Sequence, residues 1–156
     1  MLRNALAAAL LLAPLALHAA DPAPPSGEEV RKVYDYFKNG KGKGPILTGF
    51  KLCTEIDTKK GSPTSFECTT EVSGPVKKGT LLHAWVSFMV PEGDSYDDVK
   101  IAFETGGEVR QLSEVTMKES MRTRTYKSLN MSKPGKWTVT VKRDGKELGS
   151  QTLTVE

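Results

Sequence analysis

In the run MRTRTYKSLN, Arg122, Arg124 and Tyr126 alternate with Met121, Thr123 and Thr125. At the two-residue period of a strand, both guanidinium groups and the phenol project from one face. That geometry suits a carboxylate, a sulfate or sugar hydroxyls. The bland alternative is a solvated face carrying cross-strand ion pairs to acids such as Glu108 or Glu114. A second set is soft: His83, Met89, Met117 and Met121, with Trp85 and Met131 as companions, could hold Cu(I) in an exported protein. Methionine also fills irregular cores, and Trp85 is an obvious core candidate, so copper handling is the alternative to a simpler binding role. In PEGDSYDD the acids Asp94, Asp97 and Asp98 are close together, but the Asp-x-Asp-x-Asp-Gly spacing of a calcium loop is absent, which favours solvated turn carboxylates.

The chain is poorly equipped for catalysis. Beyond the first twenty residues its only imidazole is His83, set in the strand-like run LLHAWVSFMV on a face shared with Leu81, Trp85, Ser87 and Met89. A strand histidine among apolar residues is more often packed than a general base. Neither a Gly-x-Ser-x-Gly elbow nor a glycine-rich phosphate fingerprint is present. The reading is therefore of a protein that is not an enzyme and needs no cofactor.

The two cysteines, Cys53 and Cys68, are governed by compartment. Met1 to Asn4 hold a single Arg, and Ala5 to Leu17 are Ala and Leu with one Pro, the pattern of a secretory signal over residues 1–20. The run is shorter than the ~20 residues that cross a bilayer core, and no later run is long enough either. Outside the cytosol an isolated cysteine pair is usually bridged. Metal ligation would need partners that one histidine does not supply, and a redox pair needs Cys-x-x-Cys. Cys53–Cys68 is thus expected to be a structural disulfide of a periplasmic or secreted protein.

These residues must be positioned by the rest of the chain. A Pro-rich leader covers 21–27, and EEVRKVYDYFKNG then places Val30, Val33, Tyr34 and Phe37 at helical spacing, predicting an amphipathic helix over 28–40. GKGKGP reads as a flexible loop. From 45 to 156 the pattern predicts a β-sandwich domain with eight strands near 46–56, 65–73, 80–90, 97–104, 108–117, 121–130, 136–143 and 147–155. PEGDSYD is expected to be a turn, another turn is expected between Met117 and Met121, and Asp144-Gly145 is the strongest hairpin signal. Trp137, Val139 and Val141 mark the core face of their strand. A regular hairpin opposing Cys53 to Cys68 would put Phe50, Leu52 and Ile56 on the other face from Phe66 and Val72, so a β-bulge or an irregular bridge is expected.

The runs LLHAWVSFMVP and RTRTYKSLNMSKPGKWTVTVKRDGKELGSQTLTV resemble a family of bacterial exported domains with no assigned activity, over roughly the C-terminal half of the chain. The resemblance implies an all-β, immunoglobulin-like antiparallel sandwich in which Arg122, Arg124, Trp85 and Trp137 occupy recurrent positions. It supplies no catalytic residue. Once Arg3 is removed with the signal the formal charge falls from +3 to +2, so there is no pull toward nucleic acid. The expected partner is an envelope protein or glycan, with no integral membrane segment after cleavage.

Overall fold

The computed structural model describes residues 24–156; the expected signal peptide lies outside them, as do residues 21–23 of the expected leader. Helix α1 (Gly27–Asn39) begins where Ser26 can cap it. The Ser26 hydroxyl accepts from the Glu29 amide while the Glu29 carboxylate accepts from the Ser26 amide, a reciprocal capping box. This hydrogen bonding holds the Glu29 carboxyl below the usual carboxylate range. The helix ends at Gly40, where any Cβ would strike the carbonyl of Tyr36. Its boundaries match the sequence expectation within one residue at each end.

The remaining elements are strands: β1 (Ile46–Ile56), β2 (Cys68–Glu71), β3 (Leu81–Thr105), β4 (Glu108–Asn130), β5 (Gly135–Arg143) and β6 (Lys146–Val155). All pairings between named strands are antiparallel. Both β3 and β4 run through two layers. In the first layer the order is β2, β1, residues 81–90 of β3 and residues 120–130 of β4. In the second it is residues 108–118 of β4, residues 95–105 of β3, β5 and β6. Among the described residues the result is an all-β, sandwich-like fold with a single helix, and the eight strand segments fall where the period-two pattern put them.

Two of the expected turns are not turns. PEGDSYD and the stretch between Met117 and Met121 stay within β3 and β4, which bend instead of breaking. Val90 pairs with Ser120 and Ser95 with Lys118, so four residues of β3, Pro91 to Asp94, face the single residue Glu119 of β4. A bulge of this size accommodates a proline that cannot donate to the ladder and a glycine at φ +78°. The freed Gly93 amide donates to the Glu119 carboxylate at 2.5 Å, which keeps the crossing closed. A second shift between Tyr96 and Val99 completes the bend.

The two layers enclose one apolar core, in which Leu82, Val86 and Phe88 meet Ile101, Phe103, Met117, Trp137, Val139 and Val141. Trp137 does face inward, as its alternation with threonine required, and its indole N–H donates to the Lys133 carbonyl. Asp144 and Gly145, at φ 49° and 74°, form the tight β5–β6 hairpin that Asp-Gly signals. GKGKGP is held rather than free: the Asp94 carboxylate accepts from both the Tyr96 hydroxyl and the Gly42 amide, contacts that lower its pKa in that order. The Tyr36 hydroxyl donates to the Gly44 carbonyl.

Because Gly93 sits in the left-handed region, Gly93→Ala should destabilise the fold by about 1–2 kcal/mol. Gly74→Ala, where a methyl meets open space, should move stability by less than about 0.5 kcal/mol. Urea unfolding of the two variants checks the contrast.

Candidate functional site

The first layer has an outer face with a small core of its own. β3 turns Leu82, Ala84, Val86 and Phe88 inward, so His83, Trp85 and Ser87 face away from the sandwich interior. Across from them β4 places Ser128, Tyr126 and Arg124, paired to His83, Trp85 and Ser87 respectively. Trp85 is nonetheless buried, because the segment from Asp57 to Glu67 folds over this face, and Cys53, Ile56, Cys68 and Tyr126 pack around it. Trp85 is therefore a core residue, as expected, but of this second core.

The disulfide ties that cover down. Cys53 is bonded to Cys68 with their Cα atoms 5.9 Å apart. The cysteines are not opposed in the ladder: Cys53 pairs with Glu71 and Cys68 with Ile56, with register shifts on both sides of Glu55. The bulge resolves the conflict foreseen in the sequence. Phe50 and Leu52 face the inter-sheet core, and beyond the two register shifts around Glu55 Ile56 joins Cys53 on the outer face. Asp57 closes the loop by exchanging backbone bonds with Phe66 and Glu67, at 2.6 and 2.9 Å. Hydrogen bonds from Ser62, then Thr64, then the Lys59 amide hold its carboxyl below the usual range. Phe66, a bulky residue at φ 60°, adopts a backbone that side chains of its kind rarely take. That conformation lets its carbonyl accept from the Trp85 indole at 2.6 Å and brings its ring within 6.5 Å of Tyr126.

Next to Phe66, Glu67 meets the two arginines. Arg122 Nη2 and Arg124 Nη1 both donate to the same oxygen, Glu67 Oε1, at 2.8 and 2.7 Å. The shared face of Arg122, Arg124 and Tyr126 is thus as the alternation required. The acid partner is neither Glu108 nor Glu114, which pair with Arg110 and Lys100. It comes from the disulfide-tied loop, and sequence reasoning missed Glu67 because nothing local in the chain says that a segment over 50 residues away will fold across that strand. Beyond Tyr126, His83 stands edge-on to the phenol ring at 5.4 Å and shares a hydrogen bond with the Ser128 hydroxyl at 2.7 Å. Burial pushes its imidazole below the usual histidine value.

The soft set is spread out. Met117 lies in the inter-sheet core, on the opposite side of the sheet from His83. Met89 is buried six residues along β3 from His83, about 20 Å at strand rise. Met121 is exposed beside Val30, Val33 and Tyr34 of α1. Met131, a companion of that set, is fully buried in the main core. Of the acidic loop, Asp94 pins the GKGKGP segment and Asp98 pairs with Arg143.

No protein-family model matches the chain, and no curated protein sequence is similar to it. Solved structures of similar shape include an immunoglobulin-like protein from Pseudomonas aeruginosa, with 13% identity, a TM-score of 0.46, and 72% of this chain and 97% of that one covered. A CARDB domain from Pyrococcus furiosus has 14% identity and a TM-score of 0.38, covering 71% and 94%. The alkylpurine DNA glycosylase AlkC of Pseudomonas fluorescens has 11% identity and a TM-score of 0.47 over 72% of this chain, which spans only 30% of the glycosylase. Likeness at this level concerns shape alone.

Two outcomes follow. Replacing both cysteines by alanine releases a closed loop of 15 residues and should cost about 3 kcal/mol in urea unfolding. His83 binds its proton more weakly when folded than when unfolded, so its contribution to stability is present above the unfolded pKa and is lost as pH falls from there through the folded pKa. The melting temperature should therefore fall between about pH 7 and 5, and less so in His83→Gln, in thermal scans across that window.

Proposed function

We propose that the protein is a non-catalytic binding or assembly module of the bacterial cell envelope, acting in the periplasm on an anionic partner. The observation that carries this reading is the seat formed by Arg122, Arg124 and Tyr126, where two guanidinium groups converge on one carboxylate oxygen and leave a surplus positive charge. Planar guanidinium forks recognise carboxylates and other oxyanions by geometry as well as charge. Site and export support each other: the signal-like N terminus directs the chain to a compartment where the Cys53–Cys68 bridge persists, and that bridge holds Glu67 over the arginines. The one imidazole outside the signal-like segment is held toward its neutral form against Ser128 and Tyr126, which suits packing better than proton transfer. The partner class is an envelope protein or glycan bearing carboxylates.

Affinity capture from envelope extract tests the reading. The chain beginning at Asp21 should retain a partner that Arg122→Gln/Arg124→Gln loses, at a cost of about 1.5–3 kcal/mol for each charge-assisted contact removed. Equal capture by both proteins, with unchanged far-ultraviolet circular dichroism, would refute the Arg seat.

A further inference from the structure

β4 has a neighbour on one side only. Over its whole length it pairs with β3, and no named strand covers its other edge among the described residues. A strand in that position presents backbone donors and acceptors to any chain that can lie beside it. Between 120 and 130 side chains already take two of them, the Arg122 amide donating to Ser120 Oγ and the Ser128 carbonyl accepting from Gln111 Nε2. The two halves of this edge differ in charge. Residues 108–119 mix Glu108, Glu114 and Glu119 with Arg110 and Lys118, whereas residues 120–130 hold Arg122, Arg124 and Lys127 and no acid at all. The remaining edges offer less: β2 has four residues, and beyond β6 the Val76 amide donates to Thr154, so that edge is partly covered.

We infer that the open edge of β4 between Ser120 and Asn130 takes an extended acidic peptide segment of an envelope protein as an added strand, whose carboxylates replace Glu67 on Arg122 and Arg124. The inference rests on the anion-binding reading above and says how the partner enters. Glu67 already shows that these arginines accept a carboxylate from a segment laid across their face. The contact is partly exposed to water, with Arg122 57% and Glu67 24% accessible, so it holds the loop weakly enough to yield to a competitor. The Trp85–Phe66 hydrogen bond and the disulfide keep the loop nearby when Glu67 lets go. A second copy of this chain is the poorer occupant. Antiparallel pairing of two such edges about Arg124 would set Arg124 against its own counterpart, with each Arg122 diagonal to the other copy's Arg124, and like charges across a ladder repel. Basic residues also guard edges against unwanted pairing, and that role alone would give no binding of an acidic strand.

The test uses the chain from Asp21 and an eight-residue peptide alternating Glu and Thr. Its analogue replaces the interior amide N–H groups by ester oxygens, which keeps the carboxylates and removes the backbone donors. The peptide should bind, bind about tenfold more tightly to Glu67→Gln, and lose about tenfold or more to Arg122→Gln/Arg124→Gln. The ester analogue should be about tenfold weaker than the peptide. Amide hydrogens of residues 120–130 that exchange freely alone should become protected on binding. Equal affinity for peptide and ester analogue overturns the added strand while leaving side-chain recognition of carboxylates standing. No binding of either, even to Glu67→Gln, also overturns it, and the envelope-capture comparison then decides separately whether the Arg seat survives. Dimerisation that protects 120–130 without peptide would assign the edge to a second copy and overturn the inference as well.

Discussion

A strand that leaves one sheet for another must turn without abandoning its hydrogen bonds, and everything else in this molecule depends on how β3 and β4 do so. Four residues of β3 bow out opposite Glu119, the Gly93 backbone enters a region forbidden to most side chains, and the liberated amide finds a carboxylate. Were the pairing continuous, the hairpin would be a single long ribbon with Leu82 and Phe88 on one face, Ile101 and Phe103 on the other and nothing to pack against either; the register shifts bring both pairs to one face. The bend folds that face upon itself, so that both halves of one ribbon contribute to the same core. β1 and β2 then complete one layer, and β5 and β6 the other.

That arrangement leaves a question about the other face of the first layer, which a two-layer protein would ordinarily give to water. Here the chain between the cysteines is laid over it, and the ties are of different kinds: a covalent bridge, a Phe66 carbonyl on the Trp85 indole, and a carboxylate between two arginines. The small core beneath the loop, built on Trp85 and Cys53, is what a third layer looks like when only a dozen residues are available to make it. The carboxylate on the Arg seat is a product of this covering, since β4 supplies the arginines and the loop supplies Glu67.

Much of this was legible in the sequence, and the misses share a cause. The helix with its glycine stop, the Asp144-Gly145 hairpin, the inward Trp137 face and the shared face of Arg122, Arg124 and Tyr126 follow from rules acting over a few residues. The bulge near Glu55 was legible as a contradiction, since a regular hairpin opposing the cysteines would set Phe50, Leu52 and Ile56 on the other face from Phe66 and Val72. PEGDSYD misled because proline, glycine and aspartate mark a turn and a large bulge alike, and only the partner strand decides which. Glu67 and the dispersal of the methionines between core and surface were illegible for the same reason: they depend on which segments lie across one another, and local pattern does not encode that.

The three ties on the covering loop respond differently to their medium. Dissolved ions screen the attraction between Glu67 and its arginines, which are partly open to water, but hardly touch a sulfur bridge or an indole hydrogen bond. Rising ionic strength would therefore free the Glu67 side chain while the backbone on either side of it stayed anchored at Phe66 and Cys68. The cover itself stays in place, and only the grip of its carboxylate on the arginines is set by the surrounding electrolyte.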